Sequence, residues 1–452
     1  MSFLRSQESK IKHHYIKRFR LCKNGKMDKK KVLIITYYWP PAGGPGVQRW
    51  LKFVKYLPEF NIEPIIYIPE NPKYPLLDTS LNSEVSDDLI ILKQPIKEPY
   101  KLAGLFSEKA SNSISKGIIP VQRKQSLIQK LLLYIRGNFF IPDARIGWVK
   151  PSVQFLSDYI AENNIEIIIT TGPPHSLHLI GLKLKERLGV EWLADFRDPW
   201  TTIGYHKKLK LSKASKEKHK ALEKEVLNSA DKIIVTSHIT KTEFESLTNK
   251  PISVITNGYD NETVGAVSLD IKFTLSHIGS LLSERNPEVL WQVFRDLIVE
   301  LNGFKDDFQL NFIGFVSDNI IESLKKYHLT NYVNNIGYVS HNEAIVFQKQ
   351  SQILLLIEIN SEDTRCIIPG KLFEYMVSNR PIISMGPEGS DVEKIIKETN
   401  TGNYFYYGDY DLLKTTIINH YKAYKSNALQ SHAIGLQKYS RKNLTKHLVE
   451  LL

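Results

Sequence analysis

With 452 residues, 42% of them hydrophobic and 24% charged, the chain is neither disordered nor fibrous, and at about 150 residues per domain it should form two or three domains. Its two cysteines, Cys22 and Cys366, exclude a disulfide framework or a zinc cluster and indicate a reducing compartment without a structural metal. A formal charge of +12 would suggest nucleic acid or an anionic membrane as the partner if it were spread evenly.

More than half of this positive charge lies at the beginning of the chain. Residues 1–26 contain eight lysines and arginines against Glu8, a net charge of +7, so residues 27–452 carry only +5. This basic leader lacks the continuous apolar core of a signal peptide. Translation from Met27, which precedes a basic lead into a buried strand, is an alternative to translation from Met1. The small remaining charge disfavours nucleic acid and predicts a cytoplasmic protein, either free or peripheral on the inner face of the membrane.

Apolar runs of strand length alternate along the chain with segments of helix length. This alternation is typical of βα units, in which helices cover both faces of a parallel sheet. The clearest runs are Val32–Thr36, Pro64–Ile68, Ile165–Thr170, Trp192–Asp195, Lys232–Thr236, Phe273–Ile278, Phe308–Ile313, Ile353–Ile357 and Pro381–Ser384.

The runs fall into two sets, which are separated by the polar stretch after the tight turn Asn257–Asp260. We therefore predict an α/β protein with two Rossmann-like doubly wound domains that face each other across a cleft. The N-terminal domain is assigned to residues 27–265, the C-terminal domain to residues 266–430, and a final helix that packs back on the N-terminal domain to residues 431–452. Ligands of such sheets bind beyond the carboxyl ends of the strands, where helix N-termini offer free amides.

The first strand is followed by a glycine-rich segment, YYWPPAGGPGVQRWLKF. Gly43, Gly44 and Gly46 allow the backbone to approach a ligand or to turn sharply before a helix begins. Their spacing is not GxGxxG, and no acidic residue about 20 positions later ends a second strand, which argues against a dinucleotide site. The pattern leaves two interpretations, ligand contact and a plain strand-to-helix turn.

Two further motifs of the first half directly follow buried strands. In TTGPPHSLH, His175 and His178 lie three residues apart and would share a helix face, although no nearby cysteine or glutamate completes a metal site. In DFRDPW, Asp195, Arg197 and Asp198 must pair, face water or meet substrate, because unpaired buried charges are costly. Arg197 would pair with one of the two aspartates in the structural interpretation. In the functional one, a carboxylate serves as a base or binds sugar hydroxyls.

The second half opens with the motif HIGSLLSERNPEVL. Gly279 and Ser280 come directly after a strand, and Arg285 precedes a helix that begins with a proline. An arginine beside free backbone amides suits a phosphate group.

A second basic motif, IIPGKLFEY, follows later. Gly370 opens a helix, Lys371 lies in its first turn and Glu374 lies one turn on. Free amides, a lysine and a carboxylate that accepts two vicinal hydroxyls outline a site for a diphosphate joined to a ribose. The alternative is an ordinary helix start with an exposed Lys–Glu pair, but the presence of Arg285 favours the binding site.

Taken together, the motifs resemble those of retaining glycosyltransferases of the GT-B fold, in group 1 (family 4), and especially their bacterial surface-polysaccharide branch. The resemblance covers nearly all of residues 27–452. It rests on the ordered motifs YYWPPAGGPGVQR, RGNFFIPDAR, TTGPPHSLH, DFRDPW, NGYD, HIGS and PGKLFEY. It implies transfer of a sugar from a nucleotide-sugar donor, which lies mainly on the C-terminal domain, to a glycan or polyprenyl-linked acceptor on the N-terminal one.

The resemblance also assigns roles to residues. Arg285 matches the basic residue at the donor diphosphate, and Glu374 matches the glutamate that holds the ribose. The remaining donor-side positions are the loop glycines Gly43 and Gly44, the strand-end residues Gly279 and Ser280, and the helix start Gly370 and Lys371.

The sequence departs from the family pattern at two positions. Ser280 stands where many members have an arginine, and Cys366 stands where the first glutamate of the E-x7-E pair would lie. Glu358 and Glu362 are the candidates to replace that missing acid.

The family resemblance implies departure of a nucleoside diphosphate with retention at the anomeric carbon. Cations and helix N-termini neutralise the charge that develops on the phosphates, so neither a metal nor another cofactor is expected, and the nucleotide-sugar is a substrate. The DxD sequence Asp409–Asp411 opens a late helix, where aspartate is a favoured cap rather than a metal ligand. Asp195, Asp198 and His175 are the candidates for acceptor contact and catalysis.

Two basic segments are candidates for membrane contact. Arg123–Phe140 is cationic with an apolar face, and Lys207–Lys224 contains eight lysines. Such surfaces suit anionic headgroups, and the alternative for each is a solvated helix that packs on the core.

Two other functions remain open. One is a nucleotide-sugar epimerase or hydrolase of the same fold. The other is a catalytically silent nucleotide-sugar-binding protein, which Ser280 and Cys366 slightly favour. The donor base, the sugar, the acceptor, the linkage and the oligomeric state are not encoded in any of these motifs.

Overall fold

A computed structural model describes residues 29–98, 127–207, 209–260, 265 and 267–452. The basic leader, Met27 and the first residues of the segment Arg123–Phe140 lie outside this part of the chain. The strands are β1 (Lys30–Ile35), β2 (Ile62–Pro69), β3 (Ile90–Gln94), β4 (Ile167–Gly172), β5 (Glu191–Phe196), β6 (Lys232–Val235), β7 (Ile252–Val254), β8 (Phe273–Ile278), β9 (Phe308–Ile313), β10 (Val333–Gly337), β11 (Ile353–Ile357), β12 (Ile382–Met385) and β13 (Gly402–Phe405).

Helices connect these strands. They are α1 (Pro45–Tyr56), α2 (Leu127–Phe139), α3 (Ile146–Glu162), α4 (Ser176–Leu188), α5 (Gly204–Lys207), α6 (Lys213–Ser229), α7 (His238–Glu245), α8 (Glu288–Glu300), α9 (Phe304–Asp307), α10 (Asp318–Lys326), α11 (His341–Gln350), α12 (Lys371–Met376), α13 (Asp391–Thr399), α14 (Tyr410–Lys425) and α15 (Arg441–Val449). None of them is long and apolar enough to cross a membrane, for the residues that the structure describes.

The strands form two sheets. The first has the order β3-β2-β1-β4-β5-β6-β7 and the second has the order β10-β9-β8-β11-β12-β13, with parallel pairing throughout. In each sheet the chain order reverses beside the first strand, which leaves a crevice at the carboxyl ends of β1 and β8. The predicted α/β fold with two Rossmann-like domains is therefore confirmed.

Each central strand is buried on both faces. Along β1, Leu33 and Ile35 pack into one hydrophobic cluster, and Val32 and Ile34 pack into another on the opposite face. This alternation follows from the pleat of a strand, in which successive side chains point to opposite sides. Continuous apolar runs are therefore required here, and the central strands could be recognised from them.

The carboxyl edges of the two sheets face each other. Helix α7 begins just after β6 and α13 begins shortly after β12, and the Ile239 amide at the start of α7 donates a hydrogen bond of 3.0 Å to the Asp391 carboxylate at the start of α13. Both ends of this contact lie beyond carboxyl ends of strands. The cleft between the domains is therefore lined by the loops in which the sequence motifs lie.

The last helix returns to the N-terminal domain. Leu444 and Leu448 of α15 pack in the same hydrophobic cluster as Val32. The chain crosses between the domains beside the NGYD turn, where the Tyr259 amide donates to the Tyr439 carbonyl at 3.1 Å. A Cβ atom at Gly258 would lie 2.3 Å from that carbonyl oxygen, so the turn needs glycine because two backbones meet there.

Candidate functional site

Lys371 and the end of β8 form the first part of the candidate site. The ammonium group of Lys371, at the start of α12, donates hydrogen bonds to the Ile278 carbonyl at 2.9 Å and to Nε2 of His277 at 3.0 Å. Gly279 follows with a φ of 102°, and a Cβ atom there would lie 3.5 Å from the lysine nitrogen. The glycine thus keeps the space above Lys371 clear and adopts a conformation that other residues avoid.

His277 fixes the position of the lysine. Its Nδ1 lies 3.1 Å from the Leu355 carbonyl, which is only an acceptor, so Nδ1 carries the proton and Nε2 accepts from Lys371. Burial, together with the charges of Lys371 and Arg285, holds the pKa of His277 well below its usual value. The imidazole is therefore neutral and orients Lys371 without cancelling its charge.

Arg285 supplies a second cation next to Lys371. It ends the short 3-10 turn Ser283–Arg285, and its Nε is buried without a hydrogen-bond partner. No ion pair of Arg285 occurs within the described residues. Burial lowers the pKa of Arg285, and burial and the charge of Arg285 lower the pKa of Lys371 to about 7. Neither Lys371 nor Arg285 forms an ion pair with a carboxylate of the described residues, so an anion bound here would favour the charged forms of both side chains.

Glu358 is a buried acid behind this pair of cations. Its carboxyl group is 4% exposed, accepts a hydrogen bond from the Tyr404 hydroxyl at 2.9 Å and lies 3.3 Å from the Ser390 hydroxyl. Burial raises the pKa of Glu358 to about 8, although the charge of Arg285 acts in the opposite direction. Glu358 is therefore largely protonated at neutral pH, and it leaves Arg285 unneutralised.

Glu362 and Cys366 lie in different surroundings from Glu358. The side chain of Glu362 is 86% exposed and pairs with Arg365 at 2.7 Å. Cys366 is half-buried, and its thiol interacts with the Thr240 hydroxyl of the opposite domain. Burial raises the pKa of this thiol to about 11, so it is neutral. Of the two glutamates named from the sequence, Glu358 is the one near Arg285.

We expect the substitution Glu358→Gln to change how stability depends on pH. Burial raises the pKa of Glu358 from its ordinary value of 4.5 to about 8. The stability of the wild-type protein is therefore not reduced by this group below about pH 4.5, and it falls as the pH rises from there to about 8. Between about pH 5 and about pH 7 the variant should gain about 2–3 kcal/mol relative to the wild type. Urea unfolding of both proteins at a series of pH values measures this difference.

The exposed neighbour provides the control for this experiment. Glu362→Gln replaces a carboxylate whose side chain is 86% exposed, so it measures the effect of losing a surface carboxylate from the same segment. A Glu358→Gln protein with the same pH dependence as the wild type would show that Glu358 is ionised in the folded state.

Glu374 lies one turn beyond Lys371, on the wall of an adjoining cavity. Its carboxylate accepts a hydrogen bond of 2.9 Å from the Gln348 amide of α11, and Nε2 of His341 lies 3.8 Å away. The cavity has a volume of about 180 Å³ and is also lined by Tyr259 and Arg441 near the domain crossing. Glu374 therefore borders a cavity beside the interdomain crossing, and Lys371 lies one helix turn before it.

Gly43 and Gly44 form the facing loop on the N-terminal domain. Gly44 has a φ of 95°, and a Cβ atom there would have no neighbour within 4 Å, so it faces open space. Gly43 is packed on its other side, with its amide bonded to the Leu76 carbonyl at 3.0 Å. A Cβ atom at Gly46 would lie 2.3 Å from the Arg197 guanidinium. The loop is thus packed against the domain on one side and open on the other.

His175 is buried at the N-terminus of α4. Its ring stacks on Trp200 at a centroid distance of 4.9 Å, and neither ring nitrogen has a hydrogen-bond partner. The ring of His178 lies 5.9 Å away, so the two histidines share a face as their spacing predicts. Burial and the neighbouring His178 and Arg197 hold the pKa of His175 well below its usual value. Within the described residues, no three acidic, cysteine or histidine side chains are grouped to hold a metal ion.

The structure corrects the role assigned to Asp195. This residue is fully buried, and Arg49 binds its two carboxylate oxygens at 2.8 and 3.2 Å. The Trp50 indole and the Thr171 hydroxyl each donate a further hydrogen bond of 2.8 Å. Burial alone would raise the pKa of Asp195, but Arg49 and these donors hold it below its usual value. Asp195 has no exposed surface for an acceptor, and its partners Arg49 and Trp50 both lie in α1, so it is a structural anchor for that helix.

Asp198 is the second carboxylate of this motif and lies in the loop after β5. It is half-buried and is close enough to influence Cys366 of the opposite domain. Burial raises the pKa of Asp198, and the charge of Arg197 opposes this shift. Arg197 itself donates hydrogen bonds to the Gly172 and Pro173 carbonyls. Its pairing with Asp195, considered from the sequence, does not occur because Arg49 occupies that carboxylate.

Two residues at the site were not singled out from the sequence. His277 is part of the HIGS motif but was not considered by itself, although a histidine in a buried strand indicates that its ring has a polar partner. Arg49 lies in the glycine-rich motif, 146 positions before its partner Asp195, and nothing local reveals the pairing.

Comparisons with known proteins agree with the resemblance that the motifs indicated. A family model described as Glycosyltransferase Family 4 matches residues 120–263. No curated protein sequence matches the chain.

Several solved structures have the same fold. Sucrose-phosphate synthase from Thermosynechococcus elongatus is 13% identical, with a TM-score of 0.58 over 94% of this chain and 98% of the other. Anabaena HepE in complex with UDP-glucose is 11% identical, with a TM-score of 0.57 over 93% and 98%. The lipopolysaccharide outer core galactosyltransferase WaaB is 16% identical, with a TM-score of 0.55 over 93% and 98%. These structures confirm the GT-B fold that the resemblance implied.

Proposed function

We propose that this glycosyltransferase moves a sugar from a nucleoside-diphosphate donor, held mainly by the C-terminal domain, to a glycan or lipid-linked glycan bound by the N-terminal domain. The observation that carries the proposal is the pair of basic side chains Lys371 and Arg285 beside Gly279, which form no ion pair with any carboxylate in the part of the chain that the structure describes. A diphosphate supplies the negative charge that this part of the cleft lacks.

The same cations account for how the reaction would be accelerated. As the bond between the anomeric carbon and the leaving phosphate breaks, negative charge grows on the diphosphate and positive charge grows on the sugar ring. Lys371 is already oriented by His277 and the Ile278 carbonyl, so little reorganisation is needed when this charge appears. We assign retention of the anomeric configuration from the family resemblance. We assign independence of metal ions from Lys371 and Arg285, because protein cations would take the place of a divalent ion.

The acceptor side of the proposal rests on the N-terminal loops. A Cβ atom at Gly44 would have no neighbour within 4 Å, and the charge of the half-buried Asp198 reaches Cys366 of the opposite domain. We assign Asp198 to acceptor contact and place His175 behind it, since His175 is almost completely buried. Glu374 is assigned to the ribose of the donor, next to the cavity that it lines.

Two other functions are separated from this one by their products. An epimerase or hydrolase with this fold would convert the donor without an acceptor. A silent binding protein would bind the donor without turnover, and the serine at position 280 and the cysteine at position 366 are the features that favour it.

Binding of nucleotide-sugars tests the donor assignment directly. In a thermal-unfolding panel of UDP-, GDP- and ADP-sugars, we expect one class to stabilise the protein by about 2.7 kcal/mol at about 100 times its dissociation constant. UDP-sugars come first because the HepE structure holds UDP-glucose. Radiolabelled donor with and without lipid-linked glycan then separates transfer from hydrolysis. If no nucleotide-sugar stabilises the protein, the donor site is wrong.

We place the protein in the cytoplasm, where its free Cys366 would remain a thiol. Growing lipid-linked glycans are anchored in a bilayer, so the proposed acceptor brings this chain to the inner face of the membrane.

A further inference from the structure

Two basic segments that are distant in sequence meet on one surface of the N-terminal domain. The side-chain amide of Asn138, at the end of α2, makes two hydrogen bonds to the chain before α6. Its nitrogen donates to the Lys210 carbonyl at 3.3 Å, and its oxygen accepts from the Ser212 backbone amide at 2.8 Å. Ser212 is the N-cap of α6. The end of α2 is therefore fixed against the start of α6, and the outer faces of the two helices adjoin.

Helix α2 exposes large apolar side chains. Leu131 is 57% exposed, Tyr134 is 43% exposed and Phe139 is 72% exposed, whereas Leu133 is 4% exposed and packs inward. Leu131 and Tyr134 are three residues apart and share a stripe with Asn138, which borders α6. Single exposed apolar side chains are common on protein surfaces, but three large ones on the outer side of one helix indicate an interaction site.

Helix α6 exposes only its charged face. Its inner face consists of Ser215, His219 and Glu223 with Val226 and Leu227. The outer lysines of this segment are Lys210, Lys213, Lys216, Lys218, Lys220 and Lys224.

Glu223, one of the acidic residues of this lysine-rich segment, does not reach the surface. Glu223 is 2% exposed and accepts hydrogen bonds from the Trp200 and Thr201 amides, both at 3.1 Å, and from the Thr201 hydroxyl at 2.6 Å. Of the carboxylates of α6, only Glu217 and Glu225 remain outside. The outer face is therefore more positive than the sequence of α6 suggests.

We propose that the outer faces of α2 and α6 together form a docking surface for an anionic phospholipid bilayer. The lysines meet the headgroups, and Leu131, Tyr134 and Phe139 enter the interface beside them. A nucleic acid or an acidic protein would satisfy the lysines and leave the apolar side chains in water. A bilayer satisfies both, because anionic headgroups lie directly above acyl chains. The surface deepens the proposed function and rests on it in one respect, since it would hold the acceptor domain where lipid-linked glycans lie.

Vesicle flotation tests this surface without donor or acceptor. Wild-type protein should float with vesicles of phosphatidylglycerol and phosphatidylcholine, and should remain at the bottom with phosphatidylcholine alone. Neutralising Lys216 and Lys220 to glutamine should weaken binding about fivefold for each lysine. Phe139→Ser should weaken it by roughly tenfold, because a mostly exposed aromatic ring no longer enters the interface.

Matched controls come from the C-terminal domain. Leu412 of α14 is 59% exposed, so Leu412→Ser repeats the loss of an apolar surface residue, and Lys422→Gln repeats the loss of a surface lysine. Both should float as the wild type does. The proposal is overturned if the wild type does not float, if control and test variants lose binding equally, or if sedimentation shows a dimer that Phe139→Ser dissociates. Flotation needs no catalysis, so loss of transferase activity in a protein that still floats would contradict only the proposed function.

Discussion

Replacing Arg285 with alanine should lower donor-dependent sugar transfer by about 100-fold or more. The guanidinium lies beside Lys371 and forms no ion pair within the described residues, so its charge is available to the leaving diphosphate. Loss of one preorganised group that stabilises developing charge costs about 2.7–4 kcal/mol of transition-state stabilisation. Initial rates with the stabilising nucleotide-sugar, measured at saturating acceptor, give the change in kcat/KM.

A matched arginine separates this effect from a general loss of charge. Arg295 of α8 is 42% exposed and pairs with Asp296 at 2.6 Å, so Arg295→Ala should leave transfer unchanged. Glu374→Ala should lower transfer at least about tenfold, a barrier change of about 1.4 kcal/mol, through weaker donor binding. Wild-type turnover in Arg285→Ala would contradict the assignment of the diphosphate site.

The strands that the sequence revealed are those buried on both faces. β1 and β11 contain the continuous apolar runs VLII and ILLLI, because helices cover them from both sides. The strands that were missed are β3, β7, β10 and β13, which are the four edges of the two sheets. Three of them contain no fully buried residue, so no apolar pattern marks them, and only pairing with a neighbour defines them.

The donor side could be read from the sequence because its residues lie close together along the chain. Gly279 and Arg285 follow one strand, and Lys371 and Glu374 occupy one helix turn. The sequence could not show that His277 orients the lysine, since this contact joins a residue of β8 to the start of α12, 94 residues later. It also could not distinguish Glu358 from Glu362, because burial rather than spacing separates them.

The two aspartates of DFRDPW show the same limit more clearly. Both directly follow the same apolar run, and the sequence offers no reason to prefer one. Their positions relative to β5 separate them, because Asp195 is still within the strand and points into the domain, whereas Asp198 lies in the loop beyond it. The side chain that looks most like a catalytic carboxylate is therefore the one that the fold uses to hold α1.

Replacing Asp195 with alanine should destabilise the protein by about 3–5 kcal/mol. Arg49 is 5% exposed and would remain as a buried charge without its carboxylate, which is the costly way to break an ion pair. The Trp50 indole and the Thr171 hydroxyl would lose their acceptor as well. Urea unfolding followed by tryptophan fluorescence measures the loss, with circular dichroism as a second probe of the same transition.

Two further variants decide whether this loss is structural. Asp198→Ala removes the half-buried carboxylate of the same motif, so it should change stability by less than about 1 kcal/mol and lower transfer instead. The double variant Arg49→Leu, Asp195→Leu should recover part of the stability lost in Asp195→Ala, because replacing both members of a buried pair with apolar groups leaves no unpaired charge. An Asp195→Ala protein that unfolds like the wild type but no longer transfers sugar would contradict the structural role and return Asp195 to the acceptor site.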